Sequence, residues 1–519
     1  MESLQNSTTK LLSSRQRKLY FIVIIGSIIV YLSLAIGAAT TKSPWCDEAW
    51  FASPAFNLLN KGFMGTTVLE PSGTWLEGID KYTYWIPPGY ILAQKIWYGV
   101  FGFSLTLMRA LSAAFGLLAL FSWFLFVKII TGEVRIALLA FAIIAFDYCF
   151  VMTASVGRMD MMSAALNVAA FAAYMSLRKR SVTQAILVGN ILTAISVFTH
   201  PTGVLAFAGL FFLIFYFDHG QFKWRHLAIA AIPYLIGAGL WGIYISQSPS
   251  LFLSQFGGNV NGIQQTNRWD GLTSLWTSVS REITVRYLGF YGFSSDSSGI
   301  ARLKIFILLA YLAGIAAAVF TPLIRRHKGY RGLLLLTALY FLMLLLLDGH
   351  KQLMYLVHII PMFAAVLAVS VHWYYSRQII PRWLLTLGIF CLLTLQLSGV
   401  LYIIAQNDYR KTYLPAIEFL RTNSETESNL IMGSAELGFG LGFPDNFIDD
   451  WRLGFYSGKK PDLIVVGKQY EGMFNGLRSS EPEIYRHITE TLNREYHQVY
   501  DYNSIKIFKR NQPLPVFDH

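Results

Sequence analysis

The sequence has few charged residues and few cysteines for its length. Of its 519 residues, 14% are Asp, Glu, Lys or Arg, 54% are apolar, and three are Cys. A soluble globular protein usually has about 25% charged residues, so this composition excludes an ordinary soluble enzyme. The cysteines, Cys46, Cys149 and Cys391, have no metal-binding spacing and form no disulfide framework. Unpaired thiols are favoured, with a Cys46–Cys149 bridge as the alternative.

Nucleic-acid and dinucleotide motifs are also missing. The net charge is +12, but the Lys and Arg residues lie in short clusters beside apolar runs, which is the pattern of the positive-inside rule. No surface of interleaved basic and aromatic residues accompanies them, so a nucleic-acid partner is not expected. No G-x-G-x-x-G motif follows the strand-like Val465-Val466-Gly467.

What the sequence does have is apolar runs long enough to cross a bilayer. A hydrocarbon core of about 30 Å needs roughly 20 apolar residues in a helix. Eleven such segments are predicted, at 20–41, 105–127, 136–153, 162–177, 182–198, 203–217, 227–246, 303–322, 333–348, 353–374 and 383–404. With the N-terminus in the cytoplasm, the basic clusters all fall on the cytoplasmic side, and the C-terminus is predicted outside.

The chain is predicted to divide into a membrane part and a soluble part. Residues 1–405 form a polytopic α-helical transmembrane domain with long outer loops at 42–104 and 247–302. Residues 406–519 form a small extracytoplasmic α/β domain. Within it, helices are predicted at 413–422 and 481–495, and strands at 429–433, 462–466 and 500–509. In the first loop, 89–101 is predicted to be an amphipathic helix on the membrane surface.

Two adjacent carboxylates, Asp47 and Glu48, lie where the chain leaves the first span. They are flanked by Trp45 and Trp50, and they begin the loop that contains Trp85-Ile86-Pro87-Pro88-Gly89-Tyr90. Ionisable groups at membrane level are costly and usually face a cavity or a partner. We interpret this acidic pair as the catalytic centre of a membrane enzyme.

Other ionisable side chains fall at the predicted outer ends of the spans. They are Lys81, Tyr82, Arg109, Arg158, Asp160, His200, Arg281, Arg286, His350 and Lys351. The set suits transfer of a group from a lipid phosphate, because a carboxylate can accept the proton of an acceptor hydroxyl and cations can bind the departing phosphate. Simpler roles remain open. Arg109 is favoured as an ordinary interfacial charge. For Arg158 and Asp160, a structural role as an ion pair or a helix cap is as favoured as a catalytic role. His200 is more often structural.

The order of these motifs resembles the C-type (GT-C) integral membrane glycosyltransferases, specifically the superfamily of protein O-mannosyltransferases and lipid A aminoarabinose transferases. The resemblance covers the whole membrane part. It rests on the acidic pair, the Pro87-Pro88 turn, Arg109, Gly157-Arg158-Met159-Asp160, Thr199-His200-Pro201-Thr202-Gly203 and Lys351…Tyr355…Pro361.

The resemblance implies an inverting glycosyltransferase in the plasma membrane of a bacterium or archaeon. Such an enzyme moves a hexosyl or pentosyl group from a polyprenyl-phosphate donor to a hydroxyl or phosphate of a lipid, glycan or protein acceptor at the outer face. The resemblance implies that Asp47 is the base or the carboxylate that orients the acceptor, and that Glu48 supports it. It also implies that Asp160 is a second carboxylate of the active site. The implied phosphate-binding residues are Arg158, Arg281, Arg286, His350 and Lys351, and the implied cavity residues are Lys81, Tyr82, Tyr84 and His200.

Some features depart from the family. Ile86 stands where aminoarabinose transferases have a Lys before the Pro pair, so Lys81, Tyr82 or Tyr84 would have to replace that phosphate contact. A three-repeat loop domain, found in eukaryotic protein mannosyltransferases, is missing, which disfavours a protein acceptor. No clear metal ligands are present. Glu48, Asp160 and His200 are the set that could approach one another around a divalent cation.

Two other functions are alternatives to the enzyme. A transporter or flippase of lipid-linked sugars is disfavoured because no repeated halves or paired broken helices are evident. A non-catalytic scaffold would tolerate loss of Asp47, which is present. In the soluble domain, Asp445, Asp449, Asp450 and Trp451 form an acidic and aromatic patch that would suit a carbohydrate, although a solvated surface is favoured.

Overall fold

The computed structural model describes residues 14–262, 275–294, 299–423 and 429–511. Its first part is a bundle of α-helices. They are α1 (Ser14–Thr41), α2 (Cys46–Asn60), α3 (Gly89–Phe101), α4 (Leu105–Thr131), α5 (Val134–Phe146), α6 (Tyr148–Ala154), α7 (Met159–Leu177), α8 (Val182–Val197), α9 (Gly203–Asp218), α10 (Trp224–Ile245), α11 (Pro249–Gly262), α12 (Leu275–Arg281), α13 (Ile305–Phe320), α14 (Pro322–Arg326), α15 (Lys328–Leu347), α16 (Ile360–Arg377) and α17 (Arg382–Gln406). Glu282–Phe293 is a π-helical segment, and Leu353–His358 is a 3₁₀ helix before α16.

The chain is an integral membrane protein. Among the described residues, eight helices are long and apolar enough to cross a membrane, or nine if α5 and α6, which meet at a 59° bend, form one span. All eleven predicted apolar segments fall on helices. Nine of these segments correspond to the helices counted above. The other two correspond to α7 and α8, of 19 and 16 residues, which are near the short end of the length a span needs.

Small residues let the spans pack closely, as is common between membrane helices. The Tyr31 side chain of α1 is fully buried, and its hydroxyl donates to the carbonyl of Ala113 in α4 at 2.9 Å. Gly116 lies one turn further along α4, and a Cβ there would be 1.9 Å from Oη of Tyr31. The contact between α1 and α4 therefore depends on glycine at this position.

The two outer loops are joined by hydrogen bonds from α11. Gln255 accepts from the backbone N–H of Tyr84 at 2.8 Å, and its amide donates to the carbonyls of Glu77 and Tyr82. Asn259 donates to the carbonyl of Trp85 at 2.7 Å. These bonds hold the segment before the Pro pair. At the end of the turn, the N–H of Gly89 donates to the carbonyl of Phe198 at 2.7 Å, and a Cβ there would be 2.5 Å from that oxygen.

The C-terminal part is an α/β domain with one five-stranded sheet. Its elements are α18 (Leu414–Asn423), β1 (Ile431–Gly433), α19 (Leu437–Leu441), β2 (Phe447–Ile448), β3 (Leu463–Val466), α20 (Lys468–Ser480), α21 (Pro482–Glu495), β4 (Tyr496–Tyr502) and β5 (Ile505–Arg510). The strand order is β2-β1-β3-β5-β4, with β1 parallel to β2 and β3, and β5 antiparallel to β3 and β4.

The sequence predicted four of these nine elements. The predicted helices correspond to α18 and α21, and the first two strands to β1 and β3. The single strand predicted at 500–509 is wrong, because β4 and β5 form a hairpin there. Asn503 and Ser504 turn the chain with φ of 46° and 66°, as the two-residue turns of hairpins require.

The C-terminal domain packs directly on the first outer loop. Leu69 pairs in parallel with Asp449, beside the β2 edge of the sheet. One apolar cluster contains residues of α2, of the first loop and of the domain, including Phe51, Val68 and Phe447. The ion pairs Lys61–Asp445 and Glu70–Lys459 join the same two regions. The loop and the domain thus share a core.

Asp449 and Asp450 do not form a solvent-facing patch. Both are buried, and their oxygens accept hydrogen bonds from within the protein. Asp449 accepts from Trp50 Nε1 of α2 at 3.2 Å, from the N–H of Ala435 at 3.0 Å, and from the Tyr470 hydroxyl at 2.8 Å. The two interpretations of these carboxylates, as a carbohydrate patch or a solvated surface, are therefore wrong, because both acids are structural.

We expect Gly116→Ala to destabilise the protein, because the new methyl group would collide with Tyr31 and force α1 away from α4. Gly239→Ala in α10 is the matched control, because a Cβ there meets nothing within 4 Å. The measurement is the thermal unfolding midpoint of each purified variant in detergent. Equal midpoints for the two variants would show that the Tyr31 contact does not restrict position 116.

A second expectation concerns pH. Burial raises the pKa of Glu436, in the C-terminal domain, from 4.5 to about 7, and burial raises that of Asp449 to about 6. The stability contributed by the protonated acids is therefore fully present below their unfolded-state pKa values, and it is lost as the pH rises through about 6 to 7. We expect the unfolding midpoint to fall between about pH 5 and about pH 8.

Glu436→Gln should flatten this slope, since glutamine does not titrate. The exposed Glu418 of α18 supplies the control, Glu418→Gln, which should keep the slope of the wild type. A slope that Glu436→Gln leaves unchanged would rule out this carboxyl as its source.

Candidate active site

The two carboxylates of the acidic pair point in different directions. Both lie in the first turn of α2, where the helix dipole favours negative charge. Neighbouring positions on an α-helix are about 100° apart around its axis, so one side chain faces inward when the other faces outward. Glu48 is fully buried, whereas the side chain of Asp47 is 18% exposed.

Glu48 makes a buried, bidentate ion pair with Arg109 of α4. Nε and Nη2 of Arg109 donate to its two oxygens at 2.8 and 2.6 Å. The carboxylate also accepts from the N–H of Trp45 at 3.0 Å and from the N–H of Gly157 at 2.7 Å. Burial alone would raise the pKa of Glu48, but Arg109 and the Gly157 N–H outweigh it and lower that pKa.

Arg109 is not an interfacial charge that reaches the headgroups. It is 1% exposed, and its remaining N–H groups donate to the carbonyls of Ala39, Lys42 and Ser43 at 2.7 to 3.0 Å. The snorkelling interpretation of Arg109 is therefore wrong. The residue ties the end of α1 to α2 through Glu48.

Arg158 joins Asp47 to Asp160. Its Nη1 donates to Asp47, and its Nε donates to Asp160 at 2.8 Å. Its guanidinium also lies over the rings of Trp45 and Phe51, with Cζ 4.9 and 5.5 Å from their centroids. Asp160 is fully buried in the first turn of α7. One cation thus holds two of the three carboxylates predicted for catalysis, Asp47 and Asp160.

Asp47 faces a cavity of about 750 Å³, which we call the Asp47 cavity. Polar and aromatic side chains from both outer loops and from the spans line it. Among them are Trp50, Phe51, Trp85, Arg158, His200, Asn259, Asp348, Gln352 and Tyr355. Val204 of α9 and Leu347 of α15 also line it and are exposed on the apolar surface of the bundle. The cavity therefore borders the surface that faces lipid.

His200 lines the Asp47 cavity as a neutral imidazole. Its Nδ1 accepts from the N–H of Thr202 at 3.1 Å, which places the ring proton on Nε2, 3.5 Å from the Tyr355 hydroxyl. Burial lowers the pKa of His200 to about 4, although the nearby Asp160 opposes the shift. The ring therefore carries no charge near neutral pH.

Two of the cations predicted to bind the phosphate, Arg286 and Lys351, lie in a separate buried cluster. Arg286 donates to Glu282 at 2.7 Å and to Asp348, while Lys351 Nζ lies 3.2 Å from Glu282. Arg286 is fully buried and Lys351 is 3% exposed. Asp348 is the member of this cluster that lines the Asp47 cavity. Each cation thus already faces a carboxylate.

The remaining predicted residues lie elsewhere. Arg281 ends α12, and His350 is exposed after Asp348. Neither lines the Asp47 cavity in the described ranges of the chain. Lys81 and Tyr82 line a second, largely apolar cavity of about 1330 Å³ between α3, α8 and α10. Tyr84 is buried beside it, stacked on Tyr82, with its hydroxyl donating to the carbonyl of Tyr244 at 3.0 Å.

The expected metal ligands do not converge. In the part of the chain that the structure describes, no group of three His, Cys, Asp or Glu side chains is placed to hold a metal ion. Glu48 is engaged by Arg109 and by two backbone N–H groups, so the set of Glu48, Asp160 and His200 is wrong. Cys46, Cys149 and Cys391 are free thiols, so the alternative of a Cys46–Cys149 bridge is wrong as well.

Two residues of the C-terminal domain lie at the site, where the sequence did not place them. Trp451 and Arg452 belong to the C-terminal domain, yet they line the Asp47 cavity with the residues of the membrane part. The sequence places Trp451 next to two acids, but the direction of its side chain depends on how the domain packs. No sequence pattern placed Arg452 at the cavity.

Solved structures of similar shape are GT-C membrane glycosyltransferases. ArnT from Cupriavidus metallidurans, in a crystal structure bound to undecaprenyl phosphate, aligns with 96% of this chain and 98% of its own, at 14% identity and a TM-score of 0.59. The oligosaccharyltransferase of Archaeoglobus fulgidus aligns with 94% of this chain and 70% of its own, at 15% identity and a TM-score of 0.56.

A further structure of the Archaeoglobus enzyme holds an inhibitory peptide and a dolichol-phosphate, at 14% identity and a TM-score of 0.55, over 93% of this chain and 69% of that one. No protein-family profile and no curated protein matches the sequence. At these identities the comparisons establish the fold. The chain has the GT-C fold that its motifs led us to expect.

We expect Arg109→Ala to destabilise the protein by roughly 3–5 kcal/mol, because it leaves the Glu48 carboxylate buried without its cation. Arg180, exposed after α7, supplies the control. Arg180→Ala should change stability by no more than about 0.5 kcal/mol. The free energy of unfolding would be measured by denaturant titration in micelles.

The double variant with Glu48→Ala tests the pairing itself. If the two charges stabilise the protein as a pair, removing both should cost less than the sum of the single losses. Additive losses would contradict the pairing.

Proposed function

We propose that the protein transfers a glycosyl group from a polyprenyl-phosphate donor to an acceptor hydroxyl in the Asp47 cavity, at the outer face of the membrane. The observation that supports it most is the position of Asp47. Its carboxylate lines a cavity that borders the lipid-facing surface of α9 and α15, where a lipid-linked substrate could enter.

The chemistry needs a base and a cation. Asp47 accepts the proton of the acceptor hydroxyl as its oxygen attacks the anomeric carbon from the side opposite the phosphate, which inverts the configuration. The bond from that carbon to the phosphate oxygen breaks, and its electron pair leaves with the polyprenyl phosphate. A phosphate is a good leaving group, so the site needs no general acid.

Arg158 contacts the base, Asp47, and has a further N–H group to offer to the departing phosphate. Its Nε and Nη1 donate to Asp160 and Asp47, whereas its Nη2 is engaged by no carboxylate in the described structure. A cation here stabilises the negative charge that grows on the phosphate in the transition state. Asp160 keeps Arg158 in place, and Glu48 holds the helix turn that carries Asp47.

The fold relatives support a lipid phosphate as the ligand. ArnT of Cupriavidus metallidurans binds undecaprenyl phosphate, and the Archaeoglobus enzyme binds a dolichol-phosphate. The positions of the Lys and Arg clusters support placing the cavity outside the cell. The sugar and the acceptor depend on contacts that an assay must identify.

We expect Asp47→Asn to reduce transfer by about 10²- to 10⁴-fold, because asparagine keeps the shape of the side chain but cannot accept the proton. Membranes containing the protein would receive radiolabelled polyprenyl-phosphate glucose, mannose, galactose or arabinose. Transfer of label to an acceptor is then measured at equal protein levels. Asp501→Asn, at an exposed acid of β4 in the C-terminal domain, should leave transfer unchanged.

Three other results would change the conclusion. Equal transfer by Asp47→Asn and the wild type would remove Asp47 as the base. Labelled lipid that changes leaflet while no donor is consumed would replace the enzyme with a flippase. Loss of transfer in EDTA, restored by Mg²⁺ or Mn²⁺, would add a divalent cation to the mechanism.

A further inference from the structure

The C-terminal domain contributes a cation to the Asp47 cavity. Arg452 and its neighbour Trp451 line this cavity together with Asp47, Arg158 and His200, which come from the membrane part. The sequence separates Arg452 from Asp47 by most of the chain, and the packing of the domain on the first outer loop brings them to one site. The cavity is therefore built by two parts of the protein.

A turn built on Asp450 holds Arg452 in place. The Asp450 carboxylate accepts from the N–H of Arg452 at 3.1 Å, from the N–H of Gly454 at 3.1 Å, and from the Ser457 hydroxyl at 2.9 Å. Gly454 has a φ of 81°, and a Cβ there would be 2.3 Å from the carbonyl oxygen of Lys459. The backbone of Arg452 is thus fixed by a buried acid.

Aromatic rings hold the guanidinium itself. Its Cζ lies 4.1 Å from the centroid of Trp451 and 5.4 Å from that of Tyr456. Stacking against ring faces leaves the N–H groups at the edge of the guanidinium plane free to donate. The buried Nε has no hydrogen-bond partner in the described part of the chain. A buried donor without a partner costs free energy, and a bound acceptor would remove that cost.

The other charged side chains at the cavity already have partners of opposite charge. Arg158 is paired with Asp47 and Asp160, and Asp348 is paired with Arg286. His200 is neutral, as shown above. Among the described residues that line the cavity, Arg452 is the cation that has no carboxylate within ion-pair distance. In the described ranges, the C-terminal domain therefore presents to the cavity a guanidinium that has no carboxylate partner.

We propose that Arg452 binds a phosphate group of a substrate in the Asp47 cavity. Guanidinium suits phosphate because its planar edge donates two parallel hydrogen bonds to two oxygens. This inference deepens the proposed function and rests on it for the identity of the substrate. The phosphate belongs either to the lipid-linked donor or to a phosphorylated acceptor, and the experiment separates the two.

The first measurement is binding and needs no catalysis. The purified full-length protein in nanodiscs is titrated with farnesyl phosphate and, separately, with farnesol, and the two Kd values are compared. The wild type should prefer the phosphate. Arg452→Gln should lose about tenfold or more of that preference, since a charge-assisted hydrogen bond is lost. Arg452→Lys should retain part of it.

The control is Arg478→Gln, at an exposed arginine of α20 in the same domain, which should match the wild type. Unfolding midpoints of all variants show whether the domain remains folded. The second measurement is the KM of each substrate in the transfer assay. A raised donor KM for Arg452→Gln assigns the residue to the donor phosphate, and a raised acceptor KM assigns it to an acceptor phosphate.

The outcomes separate this inference from the proposed function. If no transfer is detected but the preference for farnesyl phosphate depends on Arg452, the inference holds and the proposed reaction fails. If transfer depends on Asp47 while Arg452→Gln changes neither the phosphate preference nor either KM, the inference is overturned and the reaction stands.

Discussion

The buried ion pair between Glu48 and Arg109 is the interaction on which the site depends. A carboxylate with no access to water is stable only when a cation and hydrogen bonds replace its hydration. Arg109 supplies both, and it also binds three carbonyls at the end of α1. The pair therefore connects α1, α2 and α4 and the chain before α7. Because it fixes the first turn of α2, it also fixes the side of the helix from which Asp47 reaches the cavity.

Around that fixed turn, the charged side chains divide into two groups. Most are neutralised in pairs within the protein, as in Arg286 with Glu282 and Asp348, and these pairs hold segments together at the depth of the site. In buried pairs of this kind, the mutual attraction mainly offsets the cost of removing both charges from water. Asp47 and Arg158 pair with each other at the wall of the cavity, and Arg452 lines the cavity without a carboxylate partner in the described ranges. We infer that substrate chemistry takes place among these three.

The site is assembled from both parts of the chain. The first outer loop packs between the spans and the C-terminal sheet, and Asp449 binds Trp50 of the helix that carries Asp47. A soluble domain that shares a core with this loop can influence the cavity without being part of the membrane bundle. This explains why Trp451 and Arg452 reach the cavity, and why the acids beside them are buried.

The sequence alone determined the membrane-spanning character and the α/β character of the C-terminal domain, and it placed Asp47, Arg158 and Asp160 among the candidate site residues. These follow from local properties, namely apolar run length, periodicity, and carboxylates beside a span where solvation is costly. Only the tertiary structure decided which charged side chains have a partner of opposite charge and which do not. Glu48 and Asp47 are adjacent in the chain, but the helix turns them about 100° apart, one into the core and one into the cavity. Arg286 and Arg452 are both arginines near aromatic residues, and only packing gives the first two carboxylate partners and leaves the second without one. Burial and charge pairing depend on contacts between distant segments, which no local pattern contains.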